Sequence, residues 1–251
     1  MTGGRTARAG LATVVFTVGL SMVLLLAGST WAAPVSDGMA ILKSRCFTCH
    51  AIKGPAATTL KSFSARKGPD LFYAGVKYNE EWLIKWLARP EPIRPAGFRY
   101  FKNTVVTDGA DDAVDWDALK AHVALTEAEA ESVAAALMTF RTYEEKIKKN
   151  ALTEAPADAF MGEMNFDKFS GCLACHEIEP GYGGVTGPEV YTTGERLQPD
   201  FVYSYLKDPQ SFDPKSFMPN KELGENFLQV LTKYMLSLEA PEPEDEEEGD
   251  D

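Results

Sequence analysis

The sequence predicts an all-α chain built from two similar halves, and three observations carry that expectation. A Cys-x-x-Cys-His pentapeptide occurs twice, as Cys46-Phe47-Thr48-Cys49-His50 and as Cys172-Leu173-Ala174-Cys175-His176. Apolar residues recur at helical spacing around each copy, bounded by caps and prolines. Behind each copy, matching residues follow at constant offsets, the mark of an internal repeat.

Residues 34–38 are a short polar lead-in, and Met39 to Arg45 is predicted as a helix running into the first pentapeptide. A loop with Gly54, Pro55, Gly68 and Pro69 follows. Asn79 to Ala88 is predicted helical, because Trp82, Leu83, Trp86 and Leu87 share one face. Arg89-Pro90 stops it, since the residue before proline avoids helical angles. Pro92, Pro95 and Gly97 keep the next stretch extended. Thr126 and Glu129 form a capping box, and the helix behind it is predicted to reach about Lys148 with Val133, Leu137 and Phe140 inward. Residues 150–158 read as a linker. Phe160 to Ser170 is the lead helix of the second pentapeptide.

The repeat can be read residue by residue. Gly68-Pro69 matches Gly187-Pro188 at offset 119, and Trp82, Trp86, Pro90 and Pro95 match Phe201, Tyr205, Pro209 and Pro214 at that same offset. The closing helices match at offset 98, so the first half carries 21 extra residues between Pro95 and Thr126.

Cys-x-x-Cys-His is the attachment pattern of c-type haem. Residues three and four apart on a helical turn share a face. Two cysteines can therefore reach the two vinyl groups, and the histidine can reach the iron. Cys46, Cys49, Cys172 and Cys175 would hold two covalently attached haem c groups, with His50 and His176 as iron ligands. The alternatives are a four-cysteine zinc site or two short disulfides. Neither calls for a histidine directly after each second cysteine.

The chain has 251 residues, and its apolar fraction of 45% is ordinary for globular protein. Arg5 and Arg8 precede an uncharged run from Leu11 to Ala33, and Thr30 and Ala32 give a small-x-small pattern. Residues 1–33 therefore read as a cleaved export signal or as an N-terminal membrane anchor, and both readings stay open. Either one exports the haem domains to the bacterial periplasm, soluble or held at the inner membrane through 11–33. Formal net charge is −12. The segment Glu239 to Asp251 holds nine acidic residues and no basic one, so the remainder is near −3. Residues 241–251 read as a disordered acidic tail, or as a hook for a basic partner. Nucleic acid does not fit that charge.

Haem motif after a lead helix, Gly-Pro, aromatic helix, proline-spaced strap ending in Met218-Pro219, closing helix: in this order both halves resemble class I c-type cytochromes. The tandem arrangement resembles dihaem cytochromes of the cytochrome c4 kind, over about residues 38–240. The resemblance implies two tandem cytochrome c domains, 34–149 and 159–240, each wrapped round one haem. It implies that the Pro69 and Pro188 carbonyls accept the ring N–H of the haem histidines, a plain turn being the alternative. It also implies that Met218 is the distal ligand of the second haem, rather than a core methionine. Trp82, Trp86 and Tyr205 are then pocket walls, or simply core.

The first half departs from the family pattern. Offset 119 puts Arg99 and Tyr100 where the second half has Met218 and Pro219, and no methionine lies between Lys53 and Met138. The inserted segment near 99–121 leads to His122, the one histidine outside the haem motifs. His122 is the expected distal ligand of the first haem. An open site, or ligation by Met138, Met161, Met164 or Tyr100, are the alternatives.

The functional expectation is a single-electron carrier with no catalytic residues, passing electrons from a bis-histidine haem to a histidine–methionine haem of higher potential. Its partners would be redox proteins: a membrane oxidoreductase, a soluble cytochrome or a terminal oxidase. The rival readings are a dihaem peroxidase with an open first haem, and an anchored relay subunit of a respiratory complex.

Overall fold

The structure, a computed structural model, describes residues 1, 3, 4, 32–97, 103–108 and 113–240. The uncharged run before residue 32, Arg99 and Tyr100, and residues 241–251 lie outside them. Among the described residues no helix is long and apolar enough to cross a membrane.

The chain is mostly helical. The lead helix α1 (Ala32–Ile41) passes into a π-helical turn (Leu42–Cys46) that ends on the first haem-motif cysteine. Then come α2 (Leu60–Ser64), α3 (Ala74–Lys77) and α4 (Glu80–Ala88). The inserted segment makes a two-stranded ribbon, β1 (Thr104–Val105) with β2 (Ala113–Val114), and a short 3-10 turn, Trp116–Ala118. Helix α5 (Glu127–Met138) closes the first half.

The second half repeats the plan. Helix α6 (Ala159–Met164) passes into a π-helical turn (Asn165–Phe169) ahead of Cys172. A ribbon of β3 (Glu177–Glu179) and β4 (Tyr182–Gly183) follows. Then come α7 (Thr193–Arg196), α8 (Pro199–Lys207), α9 (Pro209–Phe212) and α10 (Glu225–Ser237).

Two expectations about bounds are corrected. The first lead helix begins at Ala32, so it absorbs residues 34–38, expected as a non-helical lead-in. The closing helix of the first half stops at Met138, well short of Lys148. Its carbonyls are diverted there: the Thr139 hydroxyl donates to the Ala136 carbonyl at 2.6 Å, and the Phe140 carbonyl accepts from Gly75 N–H at 2.9 Å. Tyr143 then takes φ 72°, a left-handed conformation that ends any continuation. The capping box forms with both bonds, Glu129 N–H to Thr126 Oγ1 and Thr126 N–H to Glu129 Oε2.

Each lead helix crosses its closing helix at a glycine. A β-carbon on Gly38 would stand 1.9 Å from the Ser132 carbonyl oxygen of α5, and one on Gly162 would stand 2.4 Å from Tyr234 of α10. Around these crossings lie two buried clusters. Leu42, Leu83, Leu87, Val133 and Leu137 belong to the first, and Phe166, Tyr203, Leu206, Leu228 and Leu231 to the second.

A third cluster belongs to both halves: Phe72, Tyr73, Val76 and Ile147 pack with Phe201 and Phe212. The contact between the halves is symmetric. Tyr78 bridges Leu197 in antiparallel fashion, and these two residues are equivalent at offset 119. Asn79 N–H donates to the Arg196 carbonyl at 3.0 Å, and Gln198 N–H donates to the Lys77 carbonyl at 2.9 Å. Their side chains repeat the pattern: Asn79 Nδ2 donates to the Leu197 carbonyl at 3.3 Å and Gln198 Nε2 to the Tyr78 carbonyl at 2.8 Å. Residue i meets j and j meets i, as in a two-fold dimer. The segment read as the linker begins tied to the second half, with Asn150 and Ala151 N–H groups on the Asp200 carboxylate.

Candidate metal centres

The two Cys-x-x-Cys-His turns have one geometry. His50 N–H and Cys49 N–H both donate to the Cys46 carbonyl at 3.0 Å, and His176 and Cys175 donate to the Cys172 carbonyl at 3.1 and 3.0 Å. All four thiols are free. In each motif the first cysteine is the more withdrawn. Burial raises the Cys46 thiol, and burial pushes Cys172 up to about 11. Cys49 and Cys175 are exposed. Among the described residues no three of His, Cys, Asp and Glu gather into a metal-holding cluster.

Each histidine is fixed by the Gly-Pro turn of its own half. His50 Nδ1–H donates to the Pro69 carbonyl at 2.8 Å, and His176 Nδ1–H to the Pro188 carbonyl at 2.6 Å. This fixes the tautomer and leaves the Nε2 lone pair as the one that could take a metal. The preceding glycines are sites of close approach. A β-carbon on Gly68 would stand 2.5 Å from His50 Cε1, and one on Gly187 would stand 2.6 Å from His176 Cε1. Burial lowers the pKa of both imidazoles, opposed by the proline carbonyls and assisted by His122 at the first and by Arg94 and Arg196 at the second. Neutral imidazole is the form that ligates a metal.

The structure brings His122 to the first of these histidines. The His50 and His122 ring centres are 6.0 Å apart, with an interplanar angle of 62°. His122 Nδ1–H donates to the Val123 carbonyl at 2.9 Å, which again leaves Nε2. The next turn is anchored by Leu125, buried, whose N–H donates to the Leu87 carbonyl at 3.0 Å. Trp86 lies beside the His122 ring at 4.8 Å and stacks on Trp82 at 5.7 Å. Two imidazoles sharing one metal from opposite sides have ring centres roughly 6 Å apart, given metal–nitrogen bonds of about 2 Å. His50 and His122 fit that test.

At the second site Met218 is half-buried and packs against the same cluster as Cys172 and Leu173. Its backbone is held on both sides: Met218 N–H donates to Ser216 Oγ at 3.2 Å, and Gln210 Nε2 donates to the Met218 carbonyl at 2.7 Å. Phe166 stands edge-on to His176 at 6.4 Å. Tyr205, read as a pocket wall or simply as core, packs with Phe201 and Phe212 in the cluster shared by both halves. Met161 and Met164, alternatives for the first site, lie on α6 of the second half. Met138 ends α5, with its carbonyl against Gly75.

Sequence reasoning missed two arginines. Arg94 Nε donates to the Thr186 carbonyl, directly before the Gly187-Pro188 turn of the other half. Arg66 pairs with Asp70 at 3.0 Å and, across the halves, with Asp213 at 2.8 Å. A signal existed, because offset 119 pairs Arg94 with Asp213, opposite charges at equivalent strap positions.

Comparison of the chain with protein-family models, curated proteins and solved structures finds no match.

Proposed function

We propose that the chain is a dihaem electron-transfer protein of the class I cytochrome c type, exported to the periplasm. The observation that carries this reading is the pairing of His50 with His122 at 6.0 Å, beside a cysteine pair spaced for covalent haem. Haem, when bound, supplies one-electron exchange at iron. The residues supply attachment, through Cys46, Cys49, Cys172 and Cys175, and ligands of two kinds. The first site offers two imidazoles. The second offers His176 and the thioether of Met218, a soft neutral donor that raises the potential. Single electrons would pass from the first site to the second, and from there to a partner redox protein.

The peroxidase alternative needs an open distal side at the first site, and the His122 ring centre lying 6.0 Å from that of His50 speaks against it. The reading with an N-terminal anchor rests on residues outside those described and differs from the carrier only in attachment. A redox titration of the haem-loaded protein is the test. Two separated one-electron steps are expected, the upper one lowered by Met218→His. Superimposed steps, or a lower step that responds to Met218→His, would contradict the assignment.

A further inference from the structure

Each half sends its strap, the segment after α4 or α9, onto the other half. In the first strap, Ala96 N–H donates to the Val185 carbonyl at 3.2 Å, and the Ile93 carbonyl accepts from Glu189 N–H at 2.9 Å. These contacts bracket the Gly187-Pro188 turn that holds His176. The second strap returns the contact through Asp213 and Phe217. Phe217 meets Phe63 edge-on at 5.6 Å, and the Arg66 guanidinium lies 4.1 Å over the Phe63 ring.

Arg66 is the charged centre of that second contact. One arm of its guanidinium holds Asp70, which directly follows the Pro69 carbonyl that fixes His50. The other arm holds Asp213, which begins the strap carrying Met218. The strap passes that grip along: Ser216 N–H donates to the Asp213 carbonyl at 2.9 Å, and Ser216 Oγ accepts from Met218 N–H. Both carboxylates are nearly buried, with side-chain exposures of 5% for Asp70 and 13% for Asp213. The Asp213 Oδ1 atom has no hydrogen-bond partner among the described residues, so that carboxylate is held through Oδ2 by Arg66, with Arg94 adding a longer-range attraction. Burial works against the Arg66 charge, but Asp213 and Asp70 outweigh it and hold the guanidinium above its ordinary value. Burial also raises Asp70. The cluster is thus held by pairing and penalised by burial, so removing Arg66 takes away the one guanidinium that bridges both carboxylates and leaves them with the longer-range charges of Lys77 and Arg94 alone.

We propose that Arg66 is a positioning residue for the other half's centre: by clamping Asp213 it sets how firmly the strap presents Met218. The proposal rests on the reading of Met218 as a ligand of the second haem. A purely structural role for Arg66 would act on its own half, where Asp70 and α2 lie. The clamp instead requires an effect on a ligand of the other half.

The test uses the full haem-loaded ferric protein and free imidazole as a competitor for the Met218 position. Displacement is followed by loss of the absorption band that methionine ligation gives. Arg66→Met is expected to raise the apparent imidazole affinity about tenfold, because a strap with an unpaired buried carboxylate opens more readily. Arg66→Lys, which keeps the charge but cannot fork to both carboxylates, is expected to fall between. In an Asp213→Asn background the Arg66→Met change should lose most of its effect. Arg45→Met, which breaks only the exposed Arg45–Glu129 pair, is the control and should change nothing. A methionine band with unaltered imidazole affinity in both Arg66 variants overturns the proposal alone. A wild type with two haems but no methionine band overturns the ligand assignment, and the proposal with it.

Discussion

At positions 68 and 187 the absence of a side chain decides where an imidazole sits. The glycines let the Gly-Pro backbone come up to the ring, so that the proline carbonyl can take its N–H. Substituting Gly187→Ala would put a methyl group 2.6 Å from His176 Cε1 and 2.7 Å from the Cys175 carbonyl oxygen, a backbone atom with little freedom to move. The expected cost is about 1–3 kcal/mol, read as a lower thermal midpoint of the haem-loaded protein. An unchanged midpoint would mean that the close approach is not tight. The two Cys-x-x-Cys-His turns and the Gly-Pro carbonyls that accept from their histidines were legible in the sequence because each is carried by adjacent residue types. The role of Arg66 was not, since its partner Asp213 lies 147 positions away.

At the scale of elements, helix spacing announced α4, the capping box α5, and the repeat their counterparts α8 and α10, but helix ends depended on tertiary bonds that a local reading does not see. The end of α5 is the clearest case. Behind it, Arg141 turns back to fork the Glu144 carboxylate at 2.7 and 2.8 Å while also donating to the Gly75 carbonyl at 2.8 Å. That Gly75 carbonyl also accepts from Gln198 Nε2 of the other half. The bond from Arg141, with help from Lys149, lowers Glu144 from 4.5 to about 2. A depressed carboxylate stabilises the fold fully above the unfolded value and loses that contribution as pH falls towards the folded one. The stability difference between wild type and Glu144→Gln should therefore be present near neutral pH, shrink below 4.5 and vanish near 2. Both groups are exposed, so the difference is small. A difference that persists unchanged to the acid limit would show that Glu144 acts through something other than its charge.

For the whole molecule, the repeat in the sequence predicted two like units but not how they meet. Tyr78 and Leu197, equivalent by the repeat, pair with each other, and each strap lies on the opposite half. An alignment of the halves cannot say which half a strap will cover, because both choices satisfy the same local pattern. Within this near-symmetric frame the chemistry is asymmetric. The inserted segment brings His122 to the first site, while the second keeps Met218 on its strap. On the proposed reading, inequality between the two similar centres would give electrons a direction through the molecule.

Low-temperature electron paramagnetic resonance of the oxidised protein, with wild type beside His122→Ala, tests that inequality most directly. Two low-spin centres are expected in the wild type, and one of them should turn high-spin in the variant. A high-spin centre already present in the wild type, or a His122→Ala spectrum identical to it, would contradict the account.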